Sequence, residues 1–347
     1  MKLSNIQVLR AIAAAMVVYI HALMTFDDKV GPIGSSAFVA EDVGDLGVKL
    51  FFVISGFIIF NSSVRLPSGF GSAIYFMVKR CIRILPLYWL ATIIYGVKLT
   101  LQGEAPGVRE YMSSIFFVPY SNSAGIMRPI LGQGWTLNFE MLFYVLTALL
   151  LLLRSRFRYQ ALIASLLLAV ATNHIWLSGS ALSFVTTELL LFFVAGILVG
   201  MYPLQASPFG RVPALLVAVV ALGFAGVVPM LLTTPESVGK VVIEWLCCGA
   251  AVLVASAPVR NQSALRPVVL AGDGSYSTYL LHGFLMGPIA RLLALTHLQV
   301  PLHVFAALMV VLCTAVGIFC YLYFERPVQH WLGATLKPPA TTSLVAP

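Results

Sequence analysis

The chain has 347 residues, of which 60% are hydrophobic and 10% charged, against about 25% charged in a soluble domain. Too few polar side chains are present to cover a globule of this length, which excludes the soluble globular, disordered and disulfide-stapled classes. The net charge of +8, from 21 Lys and Arg against 13 Asp and Glu, fits basic cytoplasmic loops and an anionic phosphate ligand or lipid surface, not nucleic acid.

The composition predicts an all-α polytopic integral membrane protein of about ten transmembrane helices, each of about 20 residues. The first apolar run, 6–26, holds Arg10 and His21. No small-residue cleavage site follows it, so it reads as an uncleaved first span. Further runs lie near 45–63, 73–99, 135–153, 159–177, 184–201, 212–232, 239–257, 275–296 and 302–324. With both termini cytoplasmic, Lys2, Arg65, Lys79, Arg80, Arg83, Arg154, Arg156, Arg158, Arg211, Arg260, Arg266, Arg326 and Lys337 fall inside. Lys29, Lys49, Lys98, Arg109, Arg128, Lys240 and Arg291 fall outside, and the inside excess favours this orientation. The chain is expected to form one transmembrane domain over 1–335 and a disordered tail over 336–347. The loop over 100–134 is the longest and is outer-facing. No internal repeat is visible, which weighs against an inverted-repeat transporter.

Within the first span, the 11 residues from Arg10 to His21 make close to three full turns and ~16 Å of rise, so both project from one face. Ionisable groups within a span are costly and mark function by default. Glu140, Glu188 and Glu244 lie one or two turns inside the outer ends of other spans, at a depth similar to His21. A carboxylate beside a histidine raises its basicity, which suits a general base. That reading is preferred for His21 with Glu140, and a structural ion pair for Glu188 and Glu244. Arg80 and Arg83, three apart at the cytoplasmic end of the third span, share a face and can fork onto phosphate oxygens; ordinary positive-inside anchoring is the alternative. Pro86 is expected to kink the start of that helix or to mark a re-entrant segment. Ser55 and Gly56 allow close helix approach. Neither a GxSxG elbow nor an HExxH motif is present, and no cysteine pair has metal-ligand spacing, so no metal is expected. His174, His297, His303 and His330 lie near span ends or in loops and read as non-catalytic.

Several of these features together resemble the membrane acyltransferase-3 family, whose members O-acylate sugars and other hydroxyls. Arg10 with His21 matches its Arg-x10-His signature, and Gly47 to Phe57 looks like its Gly-Val-x-x-Phe-Phe-Val-Ile-Ser-Gly-Phe block. Arg80-x-x-Arg83 matches its acyl-CoA-associated element. Trp135-Thr136-Leu137-Asn138-Phe139-Glu140 resembles another block, and Ser275 to His282 and Glu325-Arg326-Pro327 resemble the late ones. The similarity runs in order over residues 4–331 and looks nearest to the exopolysaccharide-type acetyltransferases. Lys49 departs from it, since many relatives carry an acid there.

The resemblance implies acetyl-CoA, or another short acyl-CoA, as a cytoplasmic co-substrate, with no permanently bound cofactor. It also implies a carbohydrate hydroxyl as acceptor, on a lipid-linked precursor or surface polysaccharide, in a bacterial inner membrane. A polysaccharide assembly complex is a further expected partner. In this reading His21 is the general base, with Glu140 orienting or charging it and Arg10 lining the path or stabilising developing charge. An acyl-histidine intermediate is the competing chemistry. Arg80 and Arg83 would hold the CoA phosphates, and Tyr279 and His282 would contact the thioester or serve as core residues. A transporter of a lipid-linked sugar or organic anion, and a catalytically silent scaffold, are the alternatives.

Overall fold

The computed structural model describes residues 3–32, 36–121, 125–154, 157–176, 181–202, 223, 238–257, 266–296 and 298–339, with side chains omitted at 36–43, 174–176 and 181. The predicted span over 212–232, Lys2, Arg156, Arg211, Arg260, His297, the His174 side chain and the end of the predicted tail lie outside these residues. The described residues are helical, with no strand among them. Among the described residues, eight stretches are long and apolar enough to cross a membrane: Ser4–Lys29, Gly44–Ser63, Phe70–Leu101, Gly132–Leu151, Leu182–Met201, Val238–Ala255, Ser275–Thr296 and Leu302–Gly333. The predicted span over 159–177 does form a helix, Arg158–Trp176, but is not among the eight. Arg158 and Gln160 at one end, and Asn173 and His174 at the other, dilute its apolar middle.

The helices sort into two compact units. The first takes residues 1–54 and 201–323, the second 55–200 and 324–347. In the first unit, α1 (Ser4–Lys29) is the central element, and α2 (Ser36–Ser63) contributes its part up to Ile54. The elements carried by the later part of the chain are numbered α9 to α12 in chain order. They are α9 (Val238–Ala255), α10 (Arg266–Asp273), α11 (Ser275–Thr296) and α12 (Leu302–Cys320). α1 packs on α9, α10, α11 and α12. Its C-terminal half buries Val18, Ile20, Ala22 and Leu23 against Met286 and Ala290 of α11 and Phe305, Ala306 and Met309 of α12. Gly272 sets the crossing of α10 and α1: a Cβ there would run into the Gln7 carbonyl.

The second unit holds the rest of α2, α3 (Phe70–Leu101), α4 (Val108–Ile115), α5 (Trp135–Leu151), α6 (Arg158–Trp176), α7 (Ala181–Val185) and α8 (Leu190–Met201). α13 (Arg326–Gly333) packs against α3. α5 lies against α3, α6 and α7, and its Phe143 ring packs against Phe193 of α8 with centroids 4.5 Å apart. Gly56 of α2 brings that helix onto the backbone of α8 at Phe193 and Gly196, with no room for a Cβ. The close-approach reading of Gly56 therefore holds. Pro86 neither starts a helix nor opens a re-entrant segment; it lies inside α3, which begins at Phe70. The apolar positions before Pro86 already continue the helix, and the ring removes one backbone donor without ending it.

The long loop before α5 is tied down through Ser114. Tyr88 of α3 donates to the Ser114 carbonyl at 3.0 Å, and Trp89 donates to the Ile115 carbonyl at 3.2 Å. The Ile130 N–H donates to the Ser114 hydroxyl at 3.0 Å. Phe117, at φ 57°, stacks on Tyr88 with ring centroids 4.8 Å apart.

Gly56→Val and Gly272→Val each force a side chain against backbone that has no rotamer to yield. Each should cost ~1–3 kcal/mol, seen as a lower midpoint of thermal unfolding in detergent. An unchanged midpoint would show that the helix crossing has room to spare.

Candidate active site

The site residues read from sequence divide between the two units: Arg10, His21, Tyr279 and His282 in the first, Arg80, Arg83 and Glu140 in the second. In the first unit, α1 carries Arg10 and His21. Arg10 is buried and donates from Nη1 to Gln7 Oε1 at 3.0 Å. His21 Nδ1 lies 2.8 Å from the Val17 carbonyl oxygen. A carbonyl only accepts, so Nδ1 carries the proton and the neutral ring has its lone pair on Nε2. His282 of α11 is held in the same way, with Nδ1 2.6 Å from the Tyr279 carbonyl oxygen. It is 1% exposed, and its Nε2 has no hydrogen-bond partner. The two imidazoles lie beside each other, ring centroids 4.8 Å apart. Tyr279 flanks His282 at 6.1 Å and Phe51 at 6.0 Å.

In the second unit, both oxygens of Glu140 are taken by neutral donors. Ser55 Oγ donates to Oε1 at 2.8 Å, and Tyr144, one turn along α5, donates its hydroxyl to Oε2 at 2.7 Å. Ser55 thus has a role beyond close approach that its surroundings in the sequence did not suggest. Arg80 is not the interfacial partner of Arg83 expected from sequence, because it is buried while Arg83 is half-exposed. Its Nη2 donates to Ser62 Oγ at 2.6 Å. The guanidinium lies 5.5 Å from the Phe76 ring and 5.9 Å from the Tyr144 ring, as cation–π contact favours. The reason is local: Phe76 is one turn before Arg80 on α3 and draws the planar group across its face. Arg80 Nε has no hydrogen-bond partner.

The expected structural role of Glu244 is borne out, with a partner the sequence did not announce. Lys49 Nζ donates to Glu244 Oε2 at 2.6 Å and also reaches Asp45 Oδ2, one turn earlier on α2. Both members of the Lys49–Glu244 pair are buried. Glu188 does not lie inside a regular helix as expected. It is exposed in the turn between α7 and α8, where its carbonyl accepts from the Leu191 N–H. Among the described residues no group of three or more His, Cys, Asp or Glu side chains is arranged to hold a metal.

Chemically, an imidazole anchored through Nδ1 to a backbone carbonyl, as at His21, suits proton transfer at a hydroxyl. Residues 3–322 match the acyltransferase domain known as acyltransferase-3. The chain belongs to that family and is a multi-pass membrane protein with several apolar helices. It is 36% identical over 299 residues to the exopolysaccharide production protein ExoZ of Rhizobium meliloti, covering 82% of this chain and 90% of that one. It is 28% identical over 192 residues to nodulation protein 10 of Rhizobium leguminosarum bv. viciae, covering 50% of each chain. It is 32% identical over 151 residues to the assigned peptidoglycan O-acetyltransferase YrhL of Bacillus subtilis, covering 37% of this chain and 23% of that one. No solved structure matches. The family membership favours the acyltransferase reading over the transporter and the scaffold.

Lys49→Met should destabilise by ~3–5 kcal/mol, because Glu244 is left as a buried, uncompensated charge. Lys49→Met combined with Glu244→Met should recover most of that loss. Thermal unfolding in detergent measures both, and an additive double variant would show that the pair is not coupled.

Proposed function

We propose that the protein moves an acetyl or other short acyl group from cytoplasmic acyl-CoA to a hydroxyl of a surface or exopolysaccharide sugar. The acceptor is carried on a lipid-linked precursor, and the enzyme sits in the bacterial inner membrane with both termini in the cytoplasm, beside a polysaccharide assembly complex. Family membership and the likeness to an exopolysaccharide production protein carry this reading.

In this proposal His21 is the general base. Its Nε2 lone pair takes the proton of the acceptor hydroxyl as the oxygen attacks the thioester carbonyl carbon. The new C–O bond forms, the C–S bond breaks, and the departing thiolate recovers the proton from His21. Glu140 is the second ionisable group of the machinery, and Arg10, about three turns from His21 on α1, lines the path of the acyl group. Arg83, together with Arg80, engages the CoA phosphates, and Tyr279 lies on the thioester side. The anchoring of Nδ1 to Val17 supports His21 as base, since it leaves the basic nitrogen on the outer edge of the ring.

A strain lacking the gene should regain O-acetyl on its surface polysaccharide with the wild-type chain and not with His21→Ala. Equal acetate in both complemented strains, measured after alkaline release, would overturn the assignment. Arg83→Ala should raise the KM for acetyl-CoA by about 10- to 100-fold, the value of a hydrogen bond to a charged group. It is a cleaner test than Arg80→Ala, which also empties a packed position. An unchanged KM removes Arg83 from the donor site.

A further inference from the structure

Each of the two neighbouring histidines has its Nδ1 committed to a backbone carbonyl of its own helix, Val17 for His21 and Tyr279 for His282. Both neutral rings therefore carry their lone pair on Nε2. A buried nitrogen without a donor normally carries a desolvation cost. His282 Nε2 bears that cost: the residue is 1% exposed and the atom has no partner. Two imidazolium ions with ring centroids 4.8 Å apart would repel strongly in a medium of low dielectric. The pair is therefore suited to hold one added proton and no more.

Resting on the reading of the chain as an O-acyltransferase with His21 as base, we propose that His282 is a positioning residue that shares with His21 the proton taken from the acceptor hydroxyl. The hydroxyl proton moves to His21 as the C–O bond forms, and the singly charged pair is stabilised by the second imidazole. The proton leaves with the thiolate when the C–S bond breaks, returning both rings to neutrality. Acyl-CoA and alcohol are consumed, ester and CoA thiol are formed, and no other reactant is needed. Cys313 Sγ, 4.0 Å from the His282 carbonyl oxygen, and the Tyr279 ring fix the backbone and flank of this histidine. The role differs from contact with the donor, because it acts on the chemical step and not on binding.

The test uses membranes holding the full chain, radiolabelled acetyl-CoA, and the unacetylated polysaccharide precursors of a strain lacking the gene. His282→Ala should lower kcat by about 100-fold or more, within the range for general acid–base catalysis. Its KM for acetyl-CoA should stay within about two-fold of wild type, and added imidazole should restore at least part of kcat. His282→Gln, which keeps the bulk but cannot hold a proton, should show the same loss without rescue, and it decides the matter if the alanine variant does not fold. A raised KM with kcat retained would make His282 a donor contact and overturn the proposal. Unchanged kinetics in the glutamine variant, or a folded alanine variant that imidazole does not rescue, would also overturn it. Absence of label transfer by the wild-type chain would instead overturn the O-acyltransferase reading itself.

Discussion

A polar group inside the hydrocarbon layer has no water to bond, so it must be answered by another group of the protein. The arrangement of this chain follows from that constraint. Lys49 is met by two carboxylates, one on its own helix and one from α9. Glu140 is held between two hydroxyls. The Arg80 guanidinium is shared among a serine and two aromatic faces. In each case the answering group lies on another helix or one turn away, so satisfying a polar atom also fixes a helix contact. Glycine completes the scheme where backbones must touch, at Gly56 and Gly272.

Against this background the unsatisfied atoms stand out. His282 Nε2 and Arg80 Nε are buried without partners, and both belong to residues whose chemistry the motif series already marks. A group that is fully bonded at rest resists being recruited to a substrate, since an existing bond must first be broken. A buried group with an idle lone pair or N–H is poised for a ligand, and its cost at rest is recovered when one arrives. The two halves of the candidate machinery thus share a design, although they sit in separate units: the Nδ1 or Nη2 end is anchored, and another nitrogen is left open.

Much of this was legible in the sequence, for physical reasons that can be named. Runs of apolar residues long enough to cross a bilayer gave the helices of both units, and rare charges within them picked out Arg10, His21, Glu140 and Glu244. Periodicity placed Arg10 and His21 on one helix, because that relation is local. The pairing of His21 with His282 was not legible, since they lie 261 positions apart in the chain and only the packing of α1 on α11 brings them together. The same holds for Lys49 with Glu244 and Ser55 with Glu140. Arg80 was misplaced because spacing locates a side chain on a helix face, but not whether a neighbouring helix covers that face. Pro86 was expected near a helix start, but the apolar run before it carries the helix back to Phe70.

The buried contact of Lys49 with Glu244 also constrains how this protein can change over generations. An acid in place of Lys49 would set two negative charges together beside Glu244 without water. A lineage cannot step from one state to the other by altering position 49 first, because the intermediate would hold either two like charges or one charge alone. Passage requires that position 244 lose its carboxylate beforehand, or that both become neutral for a time. The two positions therefore constrain one another, and a change of charge at either is tolerated only with a change at the other.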